Sequence, residues 1–214
     1  MKLKRTGMLL CMIGPAGGGK TTFTQRLLAH QHDSLHLSVS VTTRTARPNE
    51  RDGSSYFFVT RPEFEAKIQR GEFFEWEEIH GNHYGTLKAT VDQALSGNSD
   101  LLLDIDIKGA LRFKKALPLN TVVVFLVPPS VAILKSRLQA RGSITPTELA
   151  TRLGTAEREY RTLLELADQP GAVDYFVVND VAEETYQTLQ AIVSAERVRL
   201  IRLSKDDVRS ICTL

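Results

Sequence analysis

The chain has 214 residues, 42% hydrophobic and 24% charged, which fits one substantial globular core with room for small insertions. A net charge of +2 excludes a nucleic-acid coat or a polybasic membrane surface, so basic residues can matter only through local position. No run approaches the roughly 20 apolar residues of a membrane span; the two cysteines, Cys11 and Cys212, lack metal-ligand or redox spacing and fit a reducing cytoplasm.

In chain order, the basic lead and short apolar run of "MKLKRTGMLLCMIG" superficially resemble a signal peptide. The apolar part is too short for one and runs straight into glycines, so "MLLCMI" predicts a buried first strand. "KTTFTQRLLAH" predicts a helix with Phe23 and Leu27 one turn apart, "LHLSVSVTT" a strand, and "SSYFFVT" another. "RPEFEAKIQRG" predicts a short helix closed by Gly71, and "EFFEWEEIHGNHYGT" two short strands joined around Gly81 and Asn82. A helix in "TVDQALSG", a buried strand "DLLLDID" and a helix in "IKGALRFKKALP" follow. "TVVVFLV" is a buried strand stopped by Pro128 and Pro129; "SVAILKSRLQARG" and about Thr147 to Ala167 are helices. "DYFVVND" is the last strand, and the tail from Ala182 predicts amphipathic helix. Three non-alternating apolar strands separated by helices point to a parallel sheet covered on both faces. The alternating, aromatic stretch from about 40 to 87 predicts an inserted antiparallel piece.

Gly14-Pro15-Ala16-Gly17-Gly18-Gly19-Lys20-Thr21 fits G-x-x-x-x-G-K-[ST] between a predicted strand and a predicted helix. Glycines allow successive backbone N–H groups to turn inward around a polyphosphate, and the following helix N-terminus adds positive dipole. Lys20 is placed to reach the β- and γ-phosphates, and the Thr21 hydroxyl to ligate Mg²⁺. The plainer alternative is a glycine-rich connector, which does not require this spacing. On a strand, Asp104 and Asp106 would point to one side, an arrangement costly without a shared cation.

The pieces "SVSVTTRTARPNERDGSSYFFV", "FFEWEEIHGNHYGT", "LLLDIDIKGA" and "FLVPPS…LKSRLQARG…TRL" occur in the order found in guanylate kinases, and the chain resembles that family over roughly residues 8 to 200. The resemblance implies an α/β, three-layer P-loop kinase with a central parallel sheet, an inserted small antiparallel GMP-binding subdomain and a helical lid. It implies core segments 1–39 (with the P-loop), 88–136 and 161–214, the last with the C-terminal helix. The GMP-binding subdomain is 40–87 and the lid 137–160. The implied reaction is ATP plus GMP giving ADP plus GDP, with Mg²⁺, and with dGMP as a further acceptor.

By motif match, Ser40, Arg44, Arg47, Tyr56 and Tyr84 would hold the GMP phosphate. Glu75 and Thr86 would read guanine, with Asp104 completing the pocket. Two arginines and a tyrosine hydroxyl suit a phosphomonoester dianion. A carboxylate at Glu75 can accept from guanine N1–H and N2–H₂ together, a donor pair that adenine lacks. Arg137, Arg141 and Arg152 match lid arginines that join Lys20 on the transferring phosphates. The other reading of Arg152 is a surface charge beside Glu148, and the same applies to Arg161. Residues 14 to 21, Thr22 and Asn179 make up the implied ATP site, with Asn179 near adenine. Thr21 and, through water, Asp106 would hold the metal.

Ala16 departs from the serine common in the family, Thr22 replaces a serine, and Asp104 stands where many bacterial members have glutamate. His30, His32 and His36 form no helical i, i+4 pair; His80 and His83 flank a turn beside Glu78, a set that could ligate zinc, but no zinc site is expected. A kinase for a phosphorylated sugar would lack Glu75, Tyr84, Thr86 and Asp104. A phosphopeptide-binding module would typically have a degraded phosphate loop. The expected partners are ATP, GMP and dGMP, with neither nucleic acid nor membrane, in a monomer or homodimer. The tail beyond about residue 196 lies past the resemblance; its spacing suggests a helix packing on the body or on a partner subunit.

Overall fold

The structure, a computed structural model, describes residues 3–30, 34–79, 81–97, 99–140 and 144–212. The chain runs β1 (Leu9–Ile13), α1 (Lys20–His30), β2 (Leu35–Leu37), β3 (Val41–Thr42), β4 (Phe57–Phe58) and α2 (Arg61–Gln69). It continues through β5 (Phe73–Ile79), β6 (Asn82–Leu87), α3 (Lys88–Ser96), β7 (Asp100–Leu103), α4 (Ile107–Ala116) and β8 (Thr121–Val127). Then come α5 (Val131–Ala140), α6 (Pro146–Ala167), β9 (Tyr175–Val178), α7 (Ala182–Arg197) and α8 (Lys205–Cys212).

The apolar runs form a five-stranded parallel sheet in the order β2-β7-β1-β8-β9. Side chains alternate across a strand, so Leu10, Met12, Val122, Val124 and Leu126 pack on one face against Phe23 and Leu27 of α1 and Leu189 and Val193 of α7. Leu9, Cys11, Ile13, Val123 and Phe125 pack on the other face with Val91 of α3, Phe113 of α4 and Leu166 of α6. Both faces are covered, which is why these strands read as unbroken apolar runs.

The inserted segment forms a second sheet, β4-β3-β6-β5. It is antiparallel except for the parallel pair β3–β4. "LHLSVSVTT" is therefore two strands in two sheets rather than one. Ser38 N–H still bonds Leu102 O of the parallel sheet, whereas Ser40 O already accepts from Phe57 N of the second. "SSYFFVT" shrinks to two strand residues because Arg51 to Tyr56 close into a turn, with Gly53 at φ +71°. Thr60 with Glu63, and Thr145 with Glu148, form capping boxes that start α2 and α6 beside a proline.

The tail is not one amphipathic helix. After α7 a 3₁₀ turn (Leu200–Arg202) carries the chain back to the start of the molecule, where Leu203 bridges Arg5. Thr6 N donates to Arg202 O and Ser204 N to Lys4 O, both at 2.8 Å. Arg202 is only 1% exposed; it donates to Glu196 Oε2 at 2.8 Å and to Asn120 O at 3.2 Å. Beside it, fully buried Asp100 accepts from Arg5, from Arg197 and from Met8 N. Among the described residues, no helix is long and apolar enough to cross a membrane.

Candidate active site

β1 ends at Ile13 and α1 begins at Lys20, and the six residues between them make a tight loop. Gly14, Gly17 and Gly19 have φ of +127°, +90° and +109°, a region that side chains disfavour. A Cβ on Gly14 would lie 2.2 Å from Leu126 O of β8. One on Gly19 would lie 2.4 Å from Asn179 Nδ2. Backbone and side chains thus pack against the loop so closely that glycine is required there. Lys20 Nζ donates to Gly14 O and Pro15 O, folding the ammonium back over the loop. Ala16, Thr21 and Thr22 are exposed.

Asn179, expected near adenine, is buried and supports this loop, donating its amide to Gly18 O at 2.8 Å. Arg137 on α5 in turn donates to Asn179 O at 3.0 Å. Arg137, Asn179 and the loop are therefore one connected unit. Arg152, on α6, is exposed, and Glu148 serves the α6 cap instead of pairing with it. Arg161 pairs with Glu157 on the helix surface. Arg141, His32 and His80 lie outside the described residues.

Between the second sheet and the residues that follow β7 lies a cavity of about 260 Å³, lined by Ser40, Tyr56, Glu75, Tyr84, Asp104 and Asp106, with Glu77 and Ile79 also on its wall. β5 and β6 supply one side of it. Glu75 and Thr86 face each other across the pair, and the buried Thr86 hydroxyl donates to Glu75 Oε1 at 3.0 Å. Burial pushes the Glu75 carboxyl above the usual carboxylate range, against the lowering effects of Thr86 and Arg112. Tyr56 and Tyr84 meet edge to face with ring centres 6.0 Å apart, and burial raises the Tyr56 phenol.

Arg44 stacks 5.5 Å over the Tyr56 ring and binds Glu50 at 2.8 Å. Glu50 also accepts the Arg47 backbone N–H at 2.8 Å, while the Arg47 side chain is exposed. Hydrogen bonding from Arg44 and from that backbone holds Glu50 low. Neither arginine lines the cavity itself; Glu50 holds the Arg44 guanidinium beside Tyr56 and, at Arg47, only the backbone.

The two aspartates do not share one side of a strand. β7 stops at Leu103, and Asp106 is the N-cap of α4, its Oδ1 accepting from Gly109 N at 2.8 Å. Aspartate is a favoured N-cap because its side-chain oxygen accepts from a helix N–H that has no partner within the helix. Asp104 is exposed to the water of the cleft, yet enough protein surrounds its carboxyl to push it up, opposed by the charge of Lys20. Lys20 thus links the loop electrostatically to the cavity.

Three acids or bases near the site escaped the sequence reading. Glu50 lies in a charged loop and Arg112 on α4, and neither belongs to a motif that singles it out. Glu159 on α6 has a buried oxygen without a hydrogen-bond partner among the described residues. Burial raises its pKa, and it feels the charges of Lys20 and Asp106. The only signal in the sequence was its spacing of seven from Arg152, which puts both on one helical stripe.

A sequence-family model described as guanylate kinase matches residues 6–196. The chain belongs to the guanylate kinase family. It is 40% identical to a guanylate kinase of Chelativorans sp. over 92% of this chain and 87% of that protein. It is 39% identical to one from Thermotoga maritima over 92% of this chain and 90% of the relative. The crystal structure of guanylate kinase from Anaplasma phagocytophilum superposes with a TM-score of 0.77 at 30% identity, covering 98% of this chain and 96% of that one. Within this guanylate kinase fold, Asp104, just past β7, lines the cavity beside the second sheet and feels the charge of Lys20 at the end of the phosphate loop.

Proposed function

We propose that this chain transfers the γ-phosphoryl group of ATP to GMP, giving ADP and GDP. The observation that carries the reading is the cavity that joins Glu75, Tyr56, Tyr84 and Ser40 to Asp104, which is itself coupled to Lys20 of the phosphate loop. Residues 14 to 21 with Thr22 hold the ATP phosphates, and Asn179 acts by bracing the loop. Ser40, Arg44, Arg47, Tyr56 and Tyr84 hold the acceptor phosphate, and Glu75, Thr86 and Asp104 read guanine. dGMP is proposed as a second acceptor.

Little covalent chemistry falls to the protein in such a transfer; it positions the two nucleotides in line and offsets charge on the phosphoryl oxygens. Lys20 with Arg137, Arg141 and Arg152 supplies that charge. Segment 137–160 is the lid that excludes water, 40–87 is the GMP-binding subdomain, and 1–39, 88–136 and 161–214 form the core. The donor set suits Mg²⁺, a hard cation that takes oxygen ligands and keeps waters. Thr21 offers an exposed hydroxyl, and Asp106 retains Oδ2 after Oδ1 is used as a cap. Bound there, the ion would neutralise phosphate charge.

The free thiols Cys11 and Cys212 support a cytoplasmic setting; a monomer or homodimer is the proposed state. The test is ADP release from ATP with GMP, dGMP, AMP, CMP and UMP offered in parallel. Turnover with the guanine nucleotides alone supports the reading; no GMP-dependent turnover, despite GMP binding, would point to a binding module instead.

A further inference from the structure

The guanine side of the cavity faces a cation with no part in the scheme above. Arg112 reaches from α4, a core helix, to β5 of the inserted subdomain. Its Nη1 donates to Trp76 O at 3.2 Å and stands 3.5 Å from Glu75 Oε2, while Nη2 lies 3.1 Å from Glu77 Oε2. Lys108, four residues earlier on α4, lies 3.5 Å from Glu77 Oε1. The oxygens of Glu75 are thus divided: Oε1 takes the Thr86 hydroxyl, and Oε2 faces Arg112.

The charges around Glu75 explain why this matters. Glu77 on its own strand and Asp106 at the start of α4 both oppose its ionisation, and so does burial. Thr86 from β6 and Arg112 from α4 favour it. Acids crowded in a partly dry cavity tend to take up a proton. A protonated Glu75 gives up acceptor capacity and presents an O–H donor, the wrong partner for the N–H donors of guanine.

We propose that Arg112 is a positioning residue for guanine recognition, a strut from α4 to β5 that keeps Glu75 ionised and aimed along the strand edge. The inference rests on Glu75 being the guanine reader. The Arg112 side chain is 46% exposed, so solvent screens the pair, and its removal should weaken recognition rather than abolish it.

The experiment compares full-length wild type, Arg112→Ala, Arg112→Lys and Glu75→Ala. ADP formation is followed with GMP and ATP varied separately, from mildly acidic to neutral pH, with a thermal melt of each variant. Arg112→Ala should raise KM for GMP about 3- to 10-fold, the scale of a partly screened ion pair. Its kcat at saturating GMP and its KM for ATP should stay unchanged. The acidic limb of kcat/KM for GMP should move to higher pH, and Arg112→Lys should return it most of the way. Wild-type KM and an unmoved limb in Arg112→Ala would overturn the proposal, as would equal losses toward both substrates. Wild-type GMP affinity in Glu75→Ala would overturn it too, by removing the reader. Absence of GMP-dependent turnover in the wild type is a separate result, which would overturn the proposed reaction itself.

Discussion

The Thr86 hydroxyl donates a hydrogen bond to Glu75 Oε1 at 3.0 Å, and the two residues are also direct cross-strand partners in the β5–β6 hairpin. Register and hydrogen bond therefore fix the same carboxylate, so its aim is set by the sheet rather than by a loose side chain. Thr86→Val keeps the shape of this buried position and removes the bond. It should cost about 1 kcal/mol of Glu75 orientation, seen as a roughly 5-fold rise in KM for GMP with KM for ATP unchanged. Steady-state kinetics with each substrate varied will check this.

The raised pKa of Glu75 has two consequences of opposite sign. Guanine needs the ionised form, so kcat/KM for GMP should fall on acidification at a pH above the usual carboxylate range. For stability, the folded state holds this proton more tightly than the unfolded chain does. Stability therefore drops as pH rises from the ordinary to the raised value, and stays lower above it. Glu75→Gln should consequently melt about 2 °C higher than wild type at neutral pH while losing GMP turnover. Paired melting and activity curves against pH will show whether the two effects separate.

Gly14 tests the phosphate loop as a backbone device. At φ +127°, with Leu126 O only 2.2 Å from where a Cβ would sit, alanine meets the backbone of a buried core strand that has no room to retreat. Gly14→Ala should destabilise the fold by about 3 kcal/mol and weaken ATP binding before GMP binding. Denaturant melts and titration with each nucleotide will measure both.

The parallel sheet was legible because burial on both faces writes itself into unbroken apolar runs such as "TVVVFLV". The phosphate loop was legible because few functions need its glycines at that spacing. What escaped depended on contacts distant in sequence. The split of β2 from β3 turns on bonds from Ser38 and Ser40 to different sheets. Asp106 left the strand to cap α4, a choice that a two-residue spacing does not reveal. Asn179 became a brace because only the fold brings it to Gly18 O. Glu50, Arg112 and Glu159 are charged residues on loops or helices, and nothing local marks which of these face a cleft.

The tail shows the same point on the scale of an element. Arg202 and Glu196 form a buried pair that fastens the tail to the body beside Asn120. Burial pushes Glu196 up, but the bonds from Arg202, Tyr175 and Arg199 outweigh it and hold the carboxyl low. Arg202→Leu strands a buried carboxylate and should cost about 3–5 kcal/mol, lowering Tm by about 10 °C. The contribution of Glu196 is complete above the ordinary carboxylate pKa and is lost as pH falls through its lowered value. The Tm gap between wild type and variant should therefore narrow in acid.

The most direct test of the account is GMP-dependent ADP formation by the wild type beside Glu75→Ala. The account predicts turnover with GMP, little with AMP, CMP or UMP, and loss of GMP use in a variant that stays folded and still binds ATP. Equal turnover of GMP by both proteins would contradict it, because the carboxylate held by Thr86 would then not be what recognises guanine.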